Sequence, residues 1–308
     1  MRDDRKTLLA TAIVLATGAV WGLYWLPVRA LADLGLPGPW GTVAITLAAT
    51  LVLLPMAVIR RRTLMRTNRV ALVSIAVAGA AFALYSIGFV YGRVAIIILL
   101  YFLTPVWSAL IGRYLMGWHT PRLRLLAIAV GLAGLAIMLG ADGQVPLPRG
   151  AGEWMALIAG VLWSVGTTGI RATSDLRPVE AAFIFALGAT LAALALAPML
   201  DPWPNAAAIA DLARASGIAV ATGTLWWVLS IAGLMWATVR LEPARVGILL
   251  MAEVLVGAVS AALLAGEHIA PVEIAGGALV LTAGLLEVWP ARRTGTTPQA
   301  RPPRPPRP

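Results

Sequence analysis

The segment VAIIILLYFLTPVWSALIGRYLM, residues 94–116, decides the fold class. Its only charged residue is Arg113. As a helix rising about 1.5 Å per residue, it is long enough to cross a hydrocarbon core of about 30 Å. An apolar run of this length is typical of a transmembrane helix and predicts one here.

The composition of the whole chain agrees with this prediction. Hydrophobic residues make up 60% of the 308 residues and charged residues only 12%, against about 25% charged in soluble domains. So few charges cannot cover the surface of a soluble protein, which excludes a cytosolic enzyme, a secreted disulfide scaffold and a disordered chain. The absence of cysteine excludes disulfides, thiolate nucleophiles and cysteine-ligated metal sites.

Nine further stretches resemble the first, separated by short connections rich in Gly, Pro and charge. We therefore predict an all-α polytopic membrane protein with ten transmembrane helices. The predicted spans are 7–31, 41–59, 70–91, 94–116, 122–139, 154–172, 179–199, 217–238, 246–265 and 271–289.

The positive charges predict the orientation of these spans. With a cytoplasmic N-terminus, 20 of the 24 Lys and Arg residues fall on the inner side, and only Arg29, Arg93, Arg149 and Arg214 fall outside. Both termini are then cytoplasmic. The preference for Arg over Lys indicates a G+C-rich bacterial gene, so we expect a multi-pass protein of the bacterial inner (plasma) membrane.

An internal repeat divides the chain into two halves. Trp21 and Arg29 recur as Trp163 and Arg171, in both cases 142 residues later, and Gly117 is echoed by Gly266. Because five helices separate equivalent positions, the second half crosses the membrane in the opposite sense, as in many secondary transporters. We predict one five-helix repeat in 1–145, an inverted repeat in 146–290, and a disordered, basic, Pro-rich cytoplasmic tail in 291–308 that lies near anionic lipid.

These motifs resemble a known transporter family. Trp21-Gly22 with Arg29, Leu103-Thr104-Pro105-Val106, and Gly266-Glu267 before a Gly-rich last helix are similar to motifs of the EamA-like branch of the drug/metabolite transporter (DMT) superfamily. Residues 101–109 resemble the YddG-type aromatic amino-acid exporters most. Trp118 and Val254 depart from the family pattern. The resemblance implies a central cavity between helices one, three, four, six, eight and nine.

Glu253 is the only carboxylate well inside a predicted span. An ionised carboxylate there costs at least about 2.5–3.5 kcal/mol unless it meets water, a cation or a proton. Two interpretations stay open. Glu253 either contacts a substrate ammonium group or couples transport to protons, or it is hydrogen-bonded inside the bundle as a structural group.

Aromatic and hydroxyl side chains supply the remaining candidates. Tyr and Trp need partners for their polar hydrogens, so we expect several to line a cavity, although packing between helices is the alternative for each. Pro27 and Pro105 should kink their helices. The candidate substrate-binding residues are Trp21, Tyr24, Tyr85, Tyr101, Thr104, Trp107, Trp163, Thr167, Trp227, Ser230 and Glu253.

The expected function follows from the repeat and the aromatic interior. We expect a secondary transporter that exports amino acids, aromatic and other large neutral ones among them, by alternating access. The alternative is efflux of lipophilic organic cations that use Glu253 and the aromatic cavity. No catalytic or metal-binding motif is present, so we expect neither an enzyme nor a cofactor, apart from proton coupling. The expected partners are a small-molecule substrate and membrane lipid, without nucleic acid. The sequence leaves the oligomeric state open, with a monomer favoured.

Overall fold

The computed structural model describes residues 2–114, 117, 122–141, 147–173, 176–205, 211–238, 240–241, 246 and 249–288. Within these ranges the regular structure is entirely helical. Trp118 and the predicted tail 291–308 lie outside the described residues.

Helices cover each predicted stretch. In our numbering they are α1 (Arg2–Gly22), α2 (Trp25–Asp33), α3 (Pro39–Ile59), α4 (Arg61–Arg66), α5 (Arg69–Tyr91), α6 (Val94–Tyr101), α7 (Thr104–Tyr114), α8 (Arg122–Leu139), α9 (Ala151–Thr173), α10 (Pro178–Leu200), α11 (Leu212–Thr222), a π-helix (Gly223–Ser230), α12 (Ile231–Thr238), α13 (Ala252–Leu264) and α14 (Pro271–Val288).

Seven of the helical segments are long and apolar enough to cross a membrane. They are Arg5–Asp33, Pro39–Ile59, Arg69–Tyr91, Val94–Tyr114, Ala151–Ile170, Pro178–Leu200 and Leu212–Leu234. Three shorter apolar helices accompany them: Leu125–Leu139, Ala252–Leu264 and Pro271–Leu286. Large apolar side chains are also exposed on the outer faces of helices, such as Leu51 at 56% and Leu263 at 76%. Both features indicate a polytopic helical membrane protein.

Two predicted spans are interrupted close to their prolines, as the sequence predicts. The first breaks at Leu23 and Tyr24, and the fourth at Phe102 and Leu103. Pro27 and Pro105 have no N–H to donate to the carbonyls four residues earlier, which weakens the helix at both places.

Two further departures from regular helix were not predicted from the sequence. A turn at Met251 precedes α13, and the eighth stretch contains the π-helix. The π-helix packs onto the break in the first span, where the Trp226 indole N–H donates to the Val20 carbonyl at 2.8 Å. A π-helix in the middle of a longer helix is rare and is frequently found at functional sites.

Glycines allow helices to approach closely. A Cβ atom on Gly22 would lie 2.7 Å from the Glu253 carbonyl oxygen of α13. A Cβ on Gly134 of α8 would lie 2.6 Å from the Gly276 carbonyl oxygen of α14. Elsewhere, α5 packs against both α9 and α10, so helices of the two predicted halves are in contact throughout the bundle.

Candidate substrate cavity

A cavity of about 230 Å³ lies where the interrupted helices meet. Its lining comes from the first, third, fourth, sixth, eighth and ninth predicted spans, as the family resemblance implies, and also from the tenth. The lining residues are Thr17, Trp21, Phe82, Tyr101, Phe102, Thr104, Pro105, Trp163, Ile231, Leu234, Leu250, Met251, Glu253, Val280, Leu281 and Gly284. Five of the eleven predicted site residues are brought together here: Trp21, Tyr101, Thr104, Trp163 and Glu253.

Glu253 is the only charged residue among these lining residues. It lies in the first turn of α13 and is 8% exposed. The Tyr85 hydroxyl donates a hydrogen bond to Glu253 Oε1 at 3.0 Å. The carboxyl group therefore lies in the cavity wall and is also hydrogen-bonded inside the bundle, so both sequence-based interpretations stay open.

An aromatic cluster forms one wall of the cavity, with Phe82 at its centre. The Phe82 ring centroid lies 4.9 Å from that of Trp21, 5.1 Å from that of Trp163 and 5.6 Å from that of Tyr101, all in edge-to-face geometry. Tyr101 also stacks on Tyr85 at 4.4 Å. Such rings bind aromatic groups by stacking and cations through their faces.

Phe82 was missed by the sequence analysis, which considered only aromatic residues with a polar hydrogen. The signal was available, because Phe82 lies three residues before Tyr85 and residues at this spacing share a face of a helix. Choosing it still required knowing which face of α5 points inward.

Tyr24, Trp227 and Ser230 support the cavity and do not line it. Tyr24 and Trp227 are almost completely buried, and the Trp227 indole N–H donates to the Tyr24 hydroxyl at 3.1 Å. Ser230 Oγ accepts the Trp21 indole N–H at 3.0 Å and donates to the Trp226 carbonyl. These bonds fix the cavity-lining Trp21 and join the π-helix to the first span.

Tyr85, Trp107 and Thr167 also lie outside the lining of this cavity. Tyr85 is fully buried and acts on the cavity through Glu253. Trp107 packs against Gly160 of α9, with its indole nitrogen 3.5 Å from the position of a Cβ there. Thr167 donates to the Trp163 carbonyl at 2.7 Å and lines a neighbouring apolar cavity of about 510 Å³ between α5, α9, α10 and α12. Trp163 lines both cavities.

A network of ion pairs lies at one end of the bundle. Arg29 of α2 pairs with Glu267 at 3.2 Å, and Arg93 pairs with Glu273 at 2.5 Å. Glu267 also accepts the backbone N–H of Val94 at 2.7 Å, at the start of α6. We call Arg29, Arg93, Glu267 and Glu273 the ion-pair network.

The ion-pair network gives Arg29 a structural partner within the protein. Its guanidinium also donates to the carbonyls of Phe89 at 3.0 Å and Gly92 at 2.9 Å. A hydrogen bond with Glu273 raises the pKa of Arg93, so the guanidinium group stays charged. The sequence did not reveal these pairs, because their partners are more than 170 residues apart.

A line of buried contacts separates the network from the cavity. Phe89 and Tyr85 are both fully buried, and their rings are in contact with centroids 4.7 Å apart. Tyr85 in turn bonds to Glu253 in the cavity wall. Buried, mutually contacting side chains therefore lie between the cavity and the network.

Comparison with known proteins establishes the fold alone. No family model matches the chain, and no curated protein sequence matches it. A solved structure described only as "Crystal structure of protein" matches with a TM-score of 0.57 and 19% sequence identity, over 94% of this chain and 98% of the other. The chain thus shares its overall architecture with a known structure over nearly its whole length.

Proposed function

We propose that this protein is a secondary membrane transporter that exports amino acids, aromatic and other large neutral ones among them. The observation that carries the proposal is the cavity, where a ring cluster and one carboxylate meet at interrupted helices. The rings suit a large side chain, and Glu253 suits an ammonium group. Interrupted helices at a central site are a recurrent feature of secondary transporters.

The proposal includes ten spans arranged as two inverted repeats that alternate in access. The helix breaks support it. Phe102 and Met251 mark breaks 149 residues apart, the same separation as Gly117 and Gly266. The repeated pair Trp21 and Trp163 both line the cavity, as do Thr104 and Glu253, also 149 residues apart.

Membership of the EamA-like branch of the DMT superfamily, closest to the YddG-type exporters, is part of the same proposal. It rests on the motif residues around Trp21 and Thr104, both of which line the cavity. Location in a bacterial inner membrane with both termini cytoplasmic rests on the charge distribution.

Transport by the purified protein tests the proposal. Proteoliposomes containing the full chain should take up labelled tryptophan, phenylalanine or leucine with saturation, and protein-free liposomes should not. An absence of saturable uptake across a panel of all twenty amino acids would contradict amino-acid export.

Efflux of lipophilic organic cations is the second candidate. A specific observation favours it: among the described lining residues no Lys or Arg faces Glu253 to receive a substrate carboxylate. Phenethylamine, which is phenylalanine without its carboxylate, distinguishes the two. Uptake of labelled phenylalanine is measured in the presence of unlabelled phenethylamine or unlabelled phenylalanine. Stronger inhibition by phenethylamine would favour the cation exporter. Cells that express a cation exporter should also resist such compounds, and Glu253→Ala should abolish the resistance.

A further inference from the structure

A polar cleft of about 410 Å³ lies at the other end of α5 from the ion-pair network. It is formed where the connection between α3 and α5 meets the end of α9. Its lining residues are Arg62, Thr63, Arg66, Thr67, Asn68, Thr173 and Leu176. The volume falls within the range of about 300–1,000 Å³ that is usual for small-molecule sites.

The chemistry of the cleft suits an anion. Arg62 and Arg66 are four residues apart on α4, so both guanidinium groups lie on one face. Both side chains are exposed, and neither has an acidic partner among the described residues. The described lining contains no carboxylate.

A neutral donor, the side-chain amide of Asn68, completes the cleft. Asn68 Oδ1 accepts the Val70 N–H at 2.9 Å, which leaves the side-chain amide NH₂ to donate to a ligand. The Thr67 hydroxyl donates to the Thr63 carbonyl and is already used. Two guanidinium groups and an amide that converge on one space match the tetrahedral oxygens of a phosphate group, which Arg binds in a bidentate manner.

Apolar side chains beside the cleft indicate that the phosphate belongs to a lipid. Ile59 is 78% exposed, Met65 84% and Val70 56%, and each lies within three residues of a cleft residue along the chain. In a membrane protein such side chains meet the acyl region, next to the headgroups. We propose that this cleft is a binding site for the phosphate headgroup of an anionic phospholipid. This inference does not depend on the proposed transport function.

Native mass spectrometry of the full-length protein in detergent tests the site. Dissociation constants are measured for phosphatidylglycerol and for phosphatidylcholine with the same acyl chains. Phosphatidylglycerol should bind at least tenfold more tightly. The double variant Arg62→Gln/Arg66→Gln should lose at least tenfold in affinity for phosphatidylglycerol and little for phosphatidylcholine.

A matched control separates a site from general charge attraction. Arg60→Gln/Arg61→Gln removes the same charge from the same connection but outside the cleft, and should change the affinity less than twofold. Equal losses in both double variants would overturn the proposal, as would equal binding of the two lipids. Both variants lie on the exposed surface, and their thermal unfolding temperatures verify that they fold.

A third arm identifies the source of the phosphate. Inorganic phosphate at millimolar concentration is added to the phosphatidylglycerol complex. If inorganic phosphate does not displace the lipid, the site binds a phosphate group that is attached to acyl chains, as proposed. If inorganic phosphate displaces the lipid from the wild type at this concentration, the ligand of the site is free phosphate. That result would overturn the assignment to a lipid.

Discussion

At the scale of single residues, the sequence predicts one important side chain of the cavity and misses another. Glu253 could be predicted, because a lone carboxylate in an apolar span is energetically costly unless it contacts water, a cation or a hydrogen-bond donor. Phe82 could not be chosen, because its spacing from Tyr85 places both residues on one face of α5 but does not show that this face points inward. Tyr24 and Trp227 were predicted at the cavity, but their polar hydrogens are satisfied within the protein.

Glu253→Gln tests the carboxylate. The substitution keeps the shape and the bond from Tyr85 but removes the negative charge, so we expect at least a tenfold loss of affinity for amine-bearing substrates and a transport rate that no longer changes with pH. Substrate binding and proteoliposome uptake between pH 5.5 and 8.5 measure both. Glu153→Gln, at the start of α9 and outside the cavity, is the control and should behave as wild type. Full transport with an unchanged pH profile in Glu253→Gln would show that the carboxylate is structural.

Phe82→Leu tests the ring cluster. Leucine preserves most of the buried volume, so we expect the protein to fold with less than about 1.5 kcal/mol of destabilisation. The loss of edge-to-face contacts should weaken binding of tryptophan and phenylalanine by about three- to tenfold while leucine binding changes little. Phe183→Leu, on α10 and outside the ring contacts described here, is the control. Equal losses for aromatic and aliphatic amino acids would contradict a role of Phe82 in selectivity.

At the scale of elements, the breaks in the helices are the features that make the site. Two of them follow from Pro27 and Pro105 and could be predicted from the sequence. The break at Met251 and the π-helix could not, because no proline marks them. They depend on packing between distant elements, such as the bond from Trp226 to Val20 across 206 residues.

Glu267 joins its own connection to α2 and α6, so its removal should loosen the end of the bundle where the ion-pair network lies. Glu267→Gln eliminates the ion pair with Arg29 and weakens the hydrogen bonds to the start of α6. The natural chain has no cysteine, so a single Val28→Cys, 1% exposed on α2, reports on this end. In solubilised protein, N-ethylmaleimide should label Val28→Cys at least fivefold faster in the Glu267→Gln background.

Arg214→Gln is the control for this experiment, because it removes an exposed charge at the start of α11. It should leave the labelling rate of Val28→Cys unchanged. An equal rate with and without Glu267→Gln would show that the network does not hold this end closed.

At the scale of the whole molecule, the helical membrane architecture could be predicted from the lengths of the apolar stretches alone. The thickness of the bilayer fixes the length of a spanning helix, so stretches of that length indicate membrane spans. The number of spans is harder, because three of the predicted ones are short apolar helices by themselves. Ten spans require the two chain ends to lie on the same face. Reporter fusions at residue 1 and residue 290 should both report the cytoplasm, and opposite locations would contradict the inverted repeat.

Water access to the cavity, and its loss on substrate binding, tests the central claim most directly. Thr104→Cys places a single thiol in the lining of the cavity, and Val28→Cys places one in the packed region as a reference. A small, water-soluble methanethiosulfonate reagent should modify Thr104→Cys much faster than Val28→Cys. A saturating concentration of a transported amino acid should slow the reaction at Thr104→Cys at least fivefold. An unreactive thiol at position 104, or a rate that no member of the substrate panel alters, would contradict a substrate cavity at this place.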